Sequence, residues 1–446
     1  MSTLSHEGVG KCGISRAAGQ KRADSERFTR CRDAKRLSGS FPEEPMKITC
    51  VEKWRVVVPC REGLLERSGR WYDPGLSAFD RIPKWIIRIH TDTGICGIGE
   101  SSRGESSLSI DAGTQALLGK DPRTFALSAL PLPPEASYGT FEMALADLLG
   151  HTWSVPVYQL LGGARQKQVL IDFWASRVDP EKTAAQARSG ALIGFHGIKI
   201  KAALANPRAR RLPPVFAAER AAVSASGDRG VSPAGSASPG DHSSWAAIAE
   251  DDPIEERVAA IAAACGPHFT ITVDPNCRFY EPAAALKLAR RLERYNVLVL
   301  EDPFPWRDRL EDYRAFRQAS PLPVAIHTSS PAAVLNAIRL QAVDYVNLNG
   351  SMFDFVHMAW MVEQAGLRCW HGSGVDLGIR DASYLHACLA TTSCTLPSDL
   401  VGNYLREDDL LVRPIDITEG YAAAPTEPGL GVELDEEALK RYRVPN

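Results

Sequence analysis

A set of polar residues, each ending a short apolar run, recurs at near-regular intervals through the C-terminal two-thirds of the chain. Lys199 and Lys201 close GIKIK, Asp274 closes TITVD, and Glu301 closes VLVLE. His327 closes PVAIH, Asn349 closes YVNLN, and His371 closes LRCWH. Asp274 and Glu301 are hard carboxylate donors, and at neighbouring strand tips they could bind a divalent cation with help from water and substrate. Lys199 and Lys201 flank one residue, so on a strand they point to the same side. Two adjacent ammonium groups, one partly buried, push a lysine pKa down, and a lysine poised near neutral pH can act as a general base. His371 offers a second acid/base group from the far side of the same mouth. His357 and His386 lie on helical runs and read as structural.

The spacing says which elements must carry these groups. Asp274 to Glu301 is 27 residues, Glu301 to His327 is 26, and the next two steps are 22 each. A strand, a loop and a return helix need about that many residues. Chemistry at the C-terminal ends of successive parallel strands is how a TIM-type barrel builds a site. VLIDFWAS reads as strand one, GIKIK as strand two, and stretches such as EPAAALKLARRLERY as covering helices. Lys201 to Asp274 breaks the rhythm at 73 residues. Its SASGDRGVSPAGSASPGDHSS stretch cannot bury a core, so 204–250 reads as a flexible insertion on the active-site side.

Residues 1–45 are rich in Ser, Gly, Arg and Lys without apolar periodicity and read as a disordered extension, with Met46 as the expected natural start. Their GVGKCG follows no strand and reads as a chance glycine match. Residues 46–100 read as strands, with WIIRIHTD and ICGIGES forming a hairpin. Residues 140–161 read as a helix interrupted near Pro156 and ended by Gly162-Gly163. The net charge of −3 offers no basic face for nucleic acid, and no run of about 18 apolar residues could cross a membrane. The ten cysteines form no C-x-x-C pair; Cys96, Cys369 and Cys388 read as small buried thiols of a cytoplasmic protein.

Taken in order, these motifs resemble the enolase superfamily, in its mandelate racemase/muconate lactonizing enzyme branch. TDTGICGIGES resembles the family's cap hairpin, and FEMALADLLGHTWSVPVYQLLGGA its helix joining cap to barrel. KIK resembles the K-x-K base motif, VDPN and LEDPFP the metal-ligand strands, and APTEPGLGVELDEEALKRY the returning tail. The resemblance implies an α/β fold: a modified (β/α)7β TIM-type barrel with an α+β capping domain. It divides the chain into a cap at 46–166, a barrel at 167–420, and a segment at 421–446 returning to the cap.

The resemblance further implies a divalent metal, Mg²⁺ first, and a base that removes the proton α to a substrate carboxylate to give an enediolate. Lys201 matches the base, and Lys199 the flanking lysine that would lower its pKa. Asn349 and Asn276 fall where substrate would be touched. Two strand ends depart from the pattern. His327-Thr328 stands where an acidic pair supplies the third ligand, so Asp274, Glu301 and His327 become the candidate metal set, with Mn²⁺ or another transition metal favoured by imidazole. Asn349 stands where an Asp or Lys is usual and could orient His371. The expected activity is that of a racemase/epimerase or sugar-acid dehydratase. A cycloisomerase and a non-catalytic ligand-binding relative are the alternatives. The expected partner is a small carboxylate substrate, in a homo-oligomer, with specificity set by the cap loop near residues 60–80.

Overall fold

The computed structural model describes residues 45–73, 76, 79–202, 253–279 and 281–445. The extension read at 1–45 lies, but for Pro45, outside the described residues, and so does the insertion read at 204–250.

The cap begins with an antiparallel sheet of β1 (Ile48–Val56), β2 (Lys84–Thr91) and β3 (Cys96–Glu100), in that order. Its apolar residues Ile86, Ile87 and Ile89 are fully buried. Helix α1 (Ser107–Leu117) is capped by the Ser106 hydroxyl, which accepts from the Ser109 amide. Helix α2 (Tyr138–Trp153) buries an unbroken run from Thr140 to Gly150. It can lie on β3 because Gly97 and Gly99 have no side chain: a Cβ at either would come within 2.1 and 2.4 Å of the Ala144 and Thr140 carbonyl oxygens. The helix breaks at Ser154, which takes a left-handed conformation, before Pro156.

The strand read as VLIDFWAS is split. β4 (Gln168–Leu170) belongs to a small outer sheet, and β5 (Phe173–Ala175) starts the barrel. Six parallel strands follow: β6 (Gly197–Lys201), β7 (Thr270–Asp274), β8 (Val297–Glu301), β9 (Val324–Thr328), β10 (Tyr345–Leu348) and β11 (Arg368–His371). They pair in sequence order. The segment 394–399 closes the circle, bridging Cys369 of β11 through Cys394 and Ile171 through Ser398. Helices α3 (Pro180–Leu192), α4 (Ile254–Cys265), α5 (Pro282–Leu292), α6 (Leu310–Ala319), α7 (Pro331–Arg339), α8 (Met352–Gln364) and α9 (Gly378–Leu389) cover it. Val299, Ala325, Trp370 and Leu396 form their own buried cluster, a layer filling the barrel interior beneath the mouth.

The tail runs back to the first strand. β12 (Ile417–Thr418) and β13 (Tyr421–Ala423) add to β4. After α10 (Glu436–Tyr442), Arg443 bridges Val56, and the Val57 amide donates to the Tyr442 carbonyl, so the chain end is stitched onto β1. Among the described residues no helix is long and apolar enough to cross a membrane.

Candidate active site

The strand register brings the charged groups together. Lys201 pairs with Asp274 and Lys199 with Thr272 across β6 and β7, so both lysine side chains and the Asp274 carboxylate point into the mouth. Lys201 Nζ donates to Asp274 Oδ2. Lys199 Nζ donates to Glu301 Oε1 at 2.9 Å and to Asp399 Oδ2 at 2.8 Å, and lies 3.6 Å from Asp274. Of the five groups in this knot, Lys199, Asp274, Glu301 and Asp399 are buried; Lys201 is the most open, at 13% side-chain exposure.

Burial and charge set the protonation of these groups. Burial alone would lower the Lys199 pKa, but Asp399, Glu301 and Asp274 outweigh it and hold Lys199 well above the ordinary lysine range. Three carboxylates therefore keep Lys199 a cation. Burial would raise Asp274, but Lys201 and Lys199 pull it below the usual carboxylate range. Glu301 is pushed up to about 7 by burial and by Asp274, against the pull of the lysines. Asp172, fully enclosed, is raised by burial and by Asp399.

Asp399 is the residue that sequence reading missed. It ends TLPSD, 28 residues after His371, so the same strand-end rhythm carried its signal.

The opposite wall is different in kind. His327 on β9 faces inward, its Nδ1 3.7 Å from Glu301 Oε1. Burial, then Lys199 and Lys201, push its pKa down to about 3, so the imidazole is neutral. Thr328 turns the other way, its hydroxyl accepting from the Ser330 amide. On β10, Asn347 donates from Nδ2 to Glu301 Oε1 at 2.8 Å, and Asn349 follows on the same face. Asn276, after β7, accepts from Arg177 on Oδ1 at 3.1 Å. Arg177 also reaches Asp73 of the cap loop at 2.8 Å, and Arg278 reaches the same Asp73 oxygen, so the cap loop is pinned over the β5 and β7 ends.

The structure does not bring His371 to the mouth. Alternation along β11 puts Trp370 and Gly372 inside and turns His371 outward. Its ring is stacked between Phe355 of α8 and Tyr384 of α9, at centroid distances of 4.5 and 3.9 Å. Nδ1 lies 2.6 Å from the Gly372 carbonyl, and burial lowers its pKa to about 4. The reading of His371 as an acid/base group, oriented by Asn349, is corrected by one residue of strand parity. Asn276, Cys277 and Asp302, beside the acidic strand ends, have positive φ, the backbone strain that clusters at functional sites.

Two buried carboxylates and a neutral imidazole suit a divalent cation. Among the described residues no three His, Cys, Asp or Glu side chains already form a cage. The reason lies in the lysines: Asp274 Oδ2 serves Lys201, and Glu301 serves Lys199. The donor set fits once Lys201 releases Asp274, and His327 Nδ1 faces the same spot from the side of Glu301.

The comparisons with known proteins point to one family. The family model described as enolase C-terminal domain-like matches residues 182–438. An N-succinyl-L-Arg/Lys racemase of Bacillus cereus is 24% identical over 421 residues, covering 90% of this chain and 98% of its own. A D-galactonate dehydratase family member of Pseudarthrobacter chlorophenolicus is 27% identical over 379 residues, covering 80% and 90%. The crystal structure of a muconate lactonizing enzyme from Pseudomonas fluorescens superposes with a TM-score of 0.68 at 21% identity, covering 90% of this chain and all of that one. The chain belongs to the enolase superfamily, in its mandelate racemase/muconate lactonizing enzyme branch. It is an isomerase or lyase of that type, working by abstraction of a proton α to a carboxylate, and enzymes of this branch use a divalent metal.

Proposed function

We propose that this protein is a one-base dehydratase of hydroxylated carboxylic acids, with Lys201 as the base. The observation that carries this reading is the asymmetry of the mouth. Lys199 and Lys201 stand on β6, whereas the facing positions on the sixth and seventh barrel strands are Asn349 and Gly372. Racemisation needs proton-transfer groups on both faces of the α-carbon, and neither an amide nor a glycine can be one. Elimination needs only one such face. The likeness to a D-galactonate dehydratase family member supports the choice of a sugar acid as substrate class.

Lys201 Nζ takes the α-proton as the C–H bond breaks. The electron pair forms the C=C bond as the β C–O bond breaks, and the departing hydroxyl takes the proton that Lys201 Nζ has just received and leaves as water, which returns Lys201 to its neutral form. Lys199, held charged by three carboxylates, binds anionic substrate and fixes the position of Glu301. Asp274, Glu301 and His327 would hold the cation, which when bound offsets the negative charge that develops on the substrate carboxylate. Mg²⁺ fits the two carboxylates; the imidazole nitrogen shifts preference toward Mn²⁺.

The test is a sugar-acid panel in D₂O with Mg²⁺ or Mn²⁺, followed by NMR. Loss of the α-proton signal with appearance of a 2-keto-3-deoxy acid is expected. Epimerised substrate carrying deuterium at the α-carbon would overturn the one-base reading.

A further inference from the structure

One buried guanidinium ties the cap loop to the ends of three barrel strands. Arg177 follows β5 and is buried. Its Nη1 donates to Asp73 Oδ2 of the cap loop at 2.8 Å. Its Nε donates to the carbonyl of Ala202, the residue after Lys201, at 2.9 Å. Its Nη2 donates to Asn276 Oδ1, two residues after Asp274, at 3.1 Å. The rigid planar fork of arginine fixes these directions relative to one another, which the point charge of a lysine cannot do.

Two of the contacts lead to reacting groups. The Asn276 amide donates to Asp274 Oδ1 at 2.9 Å, whereas Lys201 donates to the other oxygen, Oδ2. Asn276 has φ 51° and Cys277 φ 59°, both in the left-handed region. Such strain persists only where the surroundings over-determine the backbone, and the bond from Arg177 to the Asn276 side chain is such a constraint. Ala202 is held from both sides: its amide donates to the Asp274 carbonyl at 2.8 Å and its carbonyl accepts from Arg177. Arg257, also buried, donates to the Lys201 carbonyl at 2.7 Å. Burial and the neighbouring Arg278 lower the Arg177 pKa to about 9, and the Asp73 carboxylate opposes that shift. The cap loop therefore supplies the charge that keeps this guanidinium in place.

We propose that Arg177 is a positioning residue that couples the seating of the cap loop, through Asp73, to the placement of Asp274 and Lys201. The proposal rests on the reading of Lys201 as base and Asp274 as cation ligand, and adds to it the residues that hold them. With Asp73 docked, Arg177 fixes Asn276 and Ala202; with Asp73 withdrawn, both strand ends loosen. Coupling between two sites is reciprocal, so a cation on Asp274 in turn holds the cap loop down.

The experiment uses the full chain and Mn²⁺ alone, without substrate. Calorimetry gives the Mn²⁺ Kd. Amide hydrogen exchange in the metal-free protein gives the protection of the Ala202 and Asn276 amides. Asp73→Asn keeps the shape of the contact and removes its charge. It is expected to weaken Mn²⁺ about tenfold or more, as loss of a group behind a metal ligand does, and to strip protection from Ala202 and Asn276. Arg177→Lys keeps the charge and loses the fork, and should reproduce both effects. Arg67→Ala is the control: Arg67 clamps Asp80 within the cap loop itself, and its loss should leave both readouts at the wild-type level. In Asp73→Asn, a wild-type Kd, or protection lost only within residues 60–80, overturns the proposal, because the contact then merely anchors the loop. Equal effects of Arg67→Ala and Asp73→Asn overturn it too. If the wild type binds no Mn²⁺, the cation reading fails by itself and exchange alone decides: protection lost at Ala202 and Asn276 sustains the positioning role, and protection kept there sinks it.

Discussion

Asp399 Oδ2 lies 2.8 Å from Lys199 Nζ, joining the eighth, closing segment of the barrel to its second strand across the mouth. Both groups are buried, and the contact holds Lys199 upright between Glu301 and Asp399. Removing one partner of such a pair leaves a buried charge less compensated, which typically costs about 3–5 kcal/mol. Asp399→Asn keeps the shape and removes the charge. The expected result is a lower Tm and a kcat/KM reduced about tenfold or more, since Lys199 then keeps only Glu301 and the more distant Asp274. Unchanged Tm and turnover would mean that Asp399 is a spectator.

Lys201 is placed differently from Lys199. It is the more open of the two and contacts only Asp274 among the carboxylates of the knot. Lys201→Met removes the base, and general-base removal costs about 10²–10⁴ in rate. The fold should tolerate the change, with a Tm at or near that of the wild type. Lys199→Met should lower Tm as well as turnover, because Glu301 and Asp399 both lose their cation. Equal thermal effects of the two substitutions would contradict this division of labour.

The near wall of the site was legible because each residue there ends an apolar run in a period set by strand plus helix. The positions of Lys199, Lys201, Asp274 and Glu301 follow from that rhythm, as does the parity that makes the lysines face one way. Asp399 was open to the same argument, but TLPSD is short and interrupted by proline, so its strand character is weak. The far wall was not legible to one residue. LRCWHG offers no alternation from which to choose between His371 and Gly372, and the choice is made by Trp370 filling the barrel layer with Val299, Ala325 and Leu396. A histidine draws attention in a sequence and a glycine does not, although here the absent side chain shapes the site. The pairing of Asp73 with Arg177 and Arg278 joins residues over a hundred positions apart and has no local signature.

The metal site makes a prediction that its donors decide. Titration of Mn²⁺ and Mg²⁺ into the wild type should show saturable binding of both, with Mn²⁺ the tighter because one donor is imidazole. Asp274→Asn should abolish binding of both ions. His327→Ala should weaken Mn²⁺ more than Mg²⁺ and narrow the gap between them. Binding must also release Lys201 from Asp274, so Lys201→Met should bind metal at least as tightly as the wild type. A loss of affinity in that variant would show that the ion sits elsewhere.

His371 gives a pH signature that separates a packing role from a catalytic one. Its folded pKa is about 4, lowered by burial from the ordinary 6.5. Between those values the unfolded chain binds more protons than the folded one, so stability rises with pH and is lost as pH falls from 6.5 to 4. The full shift is worth about 3 kcal/mol for a group this enclosed. His386, whose Nε2 donates to the Leu430 carbonyl from inside α9, is lowered to about 4 as well and adds a loss of the same sign. His371→Phe keeps a ring between Phe355 and Tyr384 and removes one of the two titrations. Its Tm should fall less steeply between pH 6.5 and 4 than that of the wild type, while turnover at pH 8 stays within about tenfold. A loss of turnover of 10³ or more with the wild-type pH–stability profile intact would instead return His371 to the mouth as the second proton-transfer group.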